Sequence, residues 1–133
     1  MKKLLLLLFL IPNLVMADSY LCISDAAGGA EYDAKTKQYK STVFKTGLKY
    51  ILKKEGDNWD FDEFGTEPKI ISSLIDCKED KNSLMCNTFF GQFGFTYDEL
   101  RYFQTYTFGF YPTTDTLGST DSPYIELGSC SKI

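Results

Sequence analysis

Residues 89–111, FFGQFGFTYDELRYFQTYTFGFY, constrain the fold more than any other stretch, because they concentrate the rings on which a core can be built. The first arm sets Phe93, Phe95 and Tyr97 against Gln92, Gly94 and Thr96. The second sets Tyr102, Tyr106, Phe108 and Phe110 against Phe103, Thr105, Thr107 and Gly109. A period of two is the pattern of strands that bury one face. The stretch therefore predicts an antiparallel hairpin turning at Asp98-Glu99, with the rest of the chain packed around it.

The remaining chain repeats this theme in shorter pieces. SYLCI at residues 19–23 alternates and runs into Asp25-Ala26-Ala27-Gly28-Gly29, a turn-forming cluster, so a strand, a turn and a short strand at residues 30–32 are expected. DAKTK at residues 33–37 is a second polar turn, and residues 39–44 resume an extended pattern. Residues 47–54 and 59–65 flank Glu55-Gly56-Asp57-Asn58 as a second hairpin. Trp59 and Phe61 share its apolar face, and Asp60 and Asp62 its wet one.

Between residues 67 and 80, the spacing of Ile70, Ile71, Leu74 and Ile75 behind Pro68 predicts one or two helical turns. Cys77 then opens the polar loop KEDKN, and residues 83–90 carry Cys86 back into a strand. PTTDTLGSTDSP, residues 112–123, is the longest connection, a length at which a loop is functional or mobile. YIELGSC, residues 124–130, closes the chain as a strand. About eight short strands and at most one short helix make an all-β domain, a small antiparallel barrel or sandwich.

Residues 1–17, MKKLLLLLFLIPNLVMA, place two lysines ahead of an apolar run and end on small or aliphatic residues at Val15 and Ala17. This is the form of a secretory signal peptide. The run is shorter than the roughly 20 residues of a membrane span, and Pro12 and Asn13 interrupt it. Residues 18–133 are then one exported domain, periplasmic or secreted, monomeric and without membrane attachment. The net charge of −4 becomes −6 when Lys2 and Lys3 leave with the leader. A chain this acidic, with Arg101 as its only arginine, makes no nucleic-acid binder, because phosphate contacts supply most non-specific affinity. Its partners are expected to be neutral or basic.

Cys22, Cys77, Cys86 and Cys130 all lie in the exported part, and an oxidising compartment pairs them as two disulfides. Proximity in sequence favours Cys77–Cys86, leaving Cys22–Cys130 to tie the two ends together. That second bridge places the first and last strands side by side, as barrel closure requires. No CxxC spacing suits a zinc site.

Histidine is absent from the whole sequence, which removes the Ser-His-Asp and Cys-His arrangements. Paired carboxylates remain a route to hydrolysis, and Glu126, between Ile125 and Leu127, is the one acid in an apolar setting. Strand alternation reads it as facing solvent, opposite the two aliphatics. Asp57, Asp60, Asp62 and Glu63 do not follow the spacing of a calcium loop, and no cofactor or metal is expected. Arg101, just past the hairpin turn, is a candidate ligand anchor or the partner of a nearby acid. Tyr102, Tyr106, Tyr111 and Tyr124 are candidates to line a cavity or a binding face.

Tyr20-Leu21-Cys22, the Leu100-Arg101-Tyr102-Phe103 run and the ending PYIELGSCS at residues 123–131 resemble a group of small exported bacterial proteins of unknown function. In size, export, cysteines and β pattern the chain also resembles the small periplasmic β-barrel inhibitors of lysozyme. It lacks the serine- and tyrosine-bearing inhibitory loop of those proteins. The reading that results is a non-catalytic binding protein that engages another envelope or extracellular protein. The alternatives are a carrier of a small apolar ligand in an aromatic-lined cavity and a hydrolase using paired carboxylates.

Overall fold

A computed structural model describes residues 18–65, 74–107 and 122–133. Among the described residues nine strands are formed: β1 (Ser19–Asp33), β2 (Gln38–Val43), β3 (Lys49–Glu55), β4 (Asn58–Glu63), β5 (Ile75–Glu79), β6 (Ser83–Thr88), β7 (Gly91–Thr96), β8 (Arg101–Tyr106) and β9 (Tyr124–Lys132). Eight of them follow the order β4-β3-β1-β9-β8-β7-β6-β5, and β2 pairs with the distal half of β1. Every pairing is antiparallel. The two ends of this path come together where the Leu74 N–H donates to the Trp59 carbonyl at 3.3 Å and Lys54 on β3 pairs with Glu79 on β5 at 2.9 Å. The result is a nearly closed barrel, which decides between barrel and sandwich.

The aromatic hairpin is β7–β8, with Phe95 opposite Tyr102 and Thr96 opposite Arg101. Its inward rings meet those of the β3–β4 hairpin across the lumen. Phe61 lies 4.7 Å from Phe93 and 4.6 Å from Tyr50, and Tyr20 lies 4.8 Å from Phe95. Phe93, Phe95, Leu52 and Leu84 are fully buried, each stabilising the fold by about 1.5–3 kcal/mol relative to an exposed side chain. Interior packing thus fills the middle of the barrel.

Cys22–Cys130 and Cys77–Cys86 are both formed. Cys22 and Cys130 are direct partners in the β1–β9 pairing, so first and last strands do lie side by side. Two disulfides suit an oxidising compartment.

Two local expectations are corrected. Residues 25–29 do not turn the chain: β1 continues through them, with a bulge between Ser24 and Ala26. Gly29 serves close approach instead, since a Cβ there would fall 2.0 Å from the Pro123 carbonyl oxygen. The helical spacing at residues 70–75 does not carry into the described chain either, where Ile75 begins β5 and Cys77 sits within it. Pairing with β6 and the bridge to Cys86 supply hydrogen bonds and a tether that one isolated helical turn lacks. The remainder of that helical reading, residues 67–73, lies outside the described residues, as do the leader, the end of the hairpin's second arm with Phe108, Phe110 and Tyr111, and residues 112–121 of the long connection.

Candidate functional site

The site grows out of the parity of β9. Tyr124, Glu126 and Gly128 point inward, while Ile125 and Leu127 are 45% and 48% exposed. Glu126 is only 3% exposed, which reverses the expectation that it faces water. Two neighbours enforce this phase. Cys130 shares the parity of Glu126 and must meet Cys22, and Gly128 leaves room for the Tyr102 ring, whose Cε1 would lie 2.4 Å from a Cβ there. A side chain on Gly128 would also meet the Ile23 carbonyl at 2.2 Å.

Glu126 is held by three donors, two from the adjacent β8 and one from β3 across the barrel end. The Tyr102 hydroxyl donates to Oε1 at 2.8 Å, Gln104 Nε2 to the same oxygen at 2.9 Å, and the Tyr50 hydroxyl to Oε2 at 3.1 Å. Gln104 is the direct cross-strand partner of Glu126 in the β8–β9 pairing, and Tyr102 sits opposite Gly128. Burial, reinforced by the neighbouring carboxylate, pushes the phenols of Tyr50 and Tyr102 well above the ordinary tyrosine range. Both therefore remain protonated donors at any physiological pH.

On the other side of Glu126 the barrel end opens into a cleft of about 470 Å³, lined by Glu126, Tyr50, Tyr106, Tyr124, Ala27 and the 44–48 connection. The bulge in β1 switches its inward parity, so that Ser24 and Ala27 both face in and Ala27 lies opposite Glu126. Those same residues hold the connection over the cleft. Leu48 N–H donates to Ser24 Oγ at 2.9 Å, Gly47 N–H to the Ser24 carbonyl at 2.9 Å, and Phe44 N–H to the Ala27 carbonyl at 3.0 Å. Gly47 takes a positive φ of 78° within this segment.

Tyr106 and Tyr124 stack at 5.6 Å, and Phe44 packs on Tyr124 at 5.7 Å. The stacked pair also borders a smaller cavity of about 90 Å³ next to Phe61 and Phe90. Burial, and then the Glu126 carboxylate, raise the Tyr124 phenol as well.

Of the residues expected to bind, Tyr106 and Tyr124 line the cleft and Tyr102 lies behind it as a support for Glu126. Arg101 is not brought to them. It is exposed at the opposite end of β8, with its guanidinium 3.7 Å from Glu99. Tyr50, Gln104, Ala27 and the 44–48 segment were not singled out by the sequence. The shared parity of Tyr124, Glu126 and Cys130 was a usable signal for Glu126. No local pattern marks the segment that bridges β2 and β3. Among the described residues, no cluster of three or more His, Cys, Asp or Glu side chains could hold a metal ion.

The chain matches no family model, no curated protein and no solved structure.

Proposed function

We propose that the protein is an exported, periplasmic or secreted, non-catalytic carrier that takes a small ligand into the cleft at the Tyr106–Tyr124 end of the barrel. The observation that supports this most is the combination of an aromatic-walled cleft of about 470 Å³ with one oriented polar group, Glu126, at its wall. Small-molecule sites have this composition: mostly apolar lining, and a few fixed polar atoms that set orientation. The volume falls within the range of roughly 300–1,000 Å³ typical of such sites.

The test is uptake of the neutral fluorophore N-phenyl-1-naphthylamine by the oxidised chain. Saturable binding is expected, and it should be lost in Ala27→Phe, which fills the cleft opposite Glu126. An absence of uptake, or equal uptake by Ala27→Phe with its thermal transition preserved, would remove the carrier reading.

Binding of another protein keeps support from the outer wall. There Ala26, Leu127, Phe103, Gly94 and Met85 follow one another in register across β1, β9, β8, β7 and β6. Phe103 lies over Gly94, where a Cβ would come within 2.3 Å of the ring. Leu127 and Met85 are exposed on this stripe. A stoichiometric protein partner in place of a small ligand would be the signature of that function.

A further inference from the structure

We propose that the cleft selects a small organic cation, an apolar or aromatic body bearing an ammonium group, and seats the positive charge against the Glu126 carboxylate beside the tyrosine rings. This rests on reading the cleft as a ligand site and adds the charge of the ligand to it.

The first ground is the state of Glu126. Its carboxylate is buried and borders the cleft, yet its three hydrogen-bond partners among the described residues, Tyr50, Tyr102 and Gln104, are neutral. None of the ion pairs among the described residues includes it. Removing a carboxylate from water is costly unless a positive charge or a full set of donors replaces the lost hydration. An ionised carboxylate offers about four lone-pair sites. The three donors leave room for one more partner, and the open side of the group is the cleft.

The second ground is the wall. Tyr50, Tyr106, Tyr124 and Phe44 present aromatic rings around the same space. The negative faces of such rings attract cations, most strongly where water is excluded. Carboxylate and rings together favour ammonium over a neutral or anionic head.

The third ground is the surroundings. Lys45 is the one cationic residue among those lining the cleft, and it is exposed and in no ion pair with another described residue. The whole chain carries a net charge of −4, which draws cations toward the molecule and repels anions.

Three probes of nearly constant shape isolate the charge: phenyltrimethylammonium, tert-butylbenzene and benzenesulfonate, each used to displace N-phenyl-1-naphthylamine from the oxidised full chain. The cation should reach half-displacement at a concentration about tenfold below that of tert-butylbenzene, with benzenesulfonate weakest. In Glu126→Gln the preference for the cation over tert-butylbenzene should be lost. Tyr124→Leu gives a second reading that does not depend on the buried acid, and it should weaken the cation more than tert-butylbenzene. Equal displacement by cation and hydrocarbon in the unsubstituted protein, a preference for the sulfonate, or a cation preference that survives Glu126→Gln would each overturn cation selectivity while leaving the carrier reading intact. Failure of the fluorophore to bind at all would overturn both.

Discussion

Glu126 shows how a single residue is placed by its neighbours rather than by its own polarity. Taken alone, a glutamate between isoleucine and leucine belongs outside. In the barrel, the gain from inserting Tyr124, seating the Tyr102 ring over Gly128 and joining Cys130 to Cys22 outweighs leaving Ile125 and Leu127 in water. Three neutral donors then offset the burial of the acid. The phenols that hold it carry a consequence for pH. Burial raises Tyr50 and Tyr102, and Tyr97 likewise, whose hydroxyl donates to Glu79 at 2.6 Å. With folded values above the unfolded value near 10, the native state holds more protons than the unfolded one in alkaline solution. The stability these groups contribute is therefore complete below about pH 10 and declines as pH rises beyond it. Ultraviolet titration at about pH 11 should show fewer tyrosinates in the folded protein than in the same chain in denaturant. Nine tyrosines ionising together near pH 10 with the fold intact would contradict the buried network.

Among the elements, β1 does the most to assemble the site. It pairs with β2, β3 and β9, and its bulge turns Ala27 toward the cleft while leaving Ser24 to hold Leu48. The hairpins were legible in the sequence because alternation and turn residues agree, as in Trp59 and Phe61 on either side of Asp60 or Phe93 and Phe95 on either side of Gly94. The bulge was not, because Asp25-Ala26-Ala27-Gly28-Gly29 has the composition of a turn, and only pairing with both β2 and β9 holds it straight. The disulfides pin the same elements with unequal effect. The Cys22–Cys130 loop is the longer by far, with separations of 108 and 9 residues. Removing it as a Cys22→Ala/Cys130→Ala pair should cost about 4.8 kcal/mol, against about 2.7 kcal/mol for Cys77→Ala/Cys86→Ala. Urea unfolding of the two double variants checks this, and a larger loss from the short bridge would show that native packing, not chain entropy, sets the order.

At the level of the whole molecule, rings close the middle of the barrel, and among the described residues a cleft remains at the end where β8 finishes and β9 begins. The all-β class could be read from strand spacing and the adjacency of first and last strands from Cys22 and Cys130, but the choice between barrel and sandwich could not. The cleft could not, since it forms where the end of β8, the start of β9, the β1 bulge and the 44–48 segment converge from distant parts of the chain. Tyr106 and Tyr124 were visible as surplus rings, but their stacking and their shared border with Glu126 depend on strand register. The carrier reading is tested most directly by the native mass of the protein purified gently from the envelope of its own host. An excess on the order of a few hundred daltons, the size of a ligand that such a cleft holds, is expected and should disappear on denaturation. The mass of the bare chain, or of the chain with a second polypeptide and no small molecule, would contradict it.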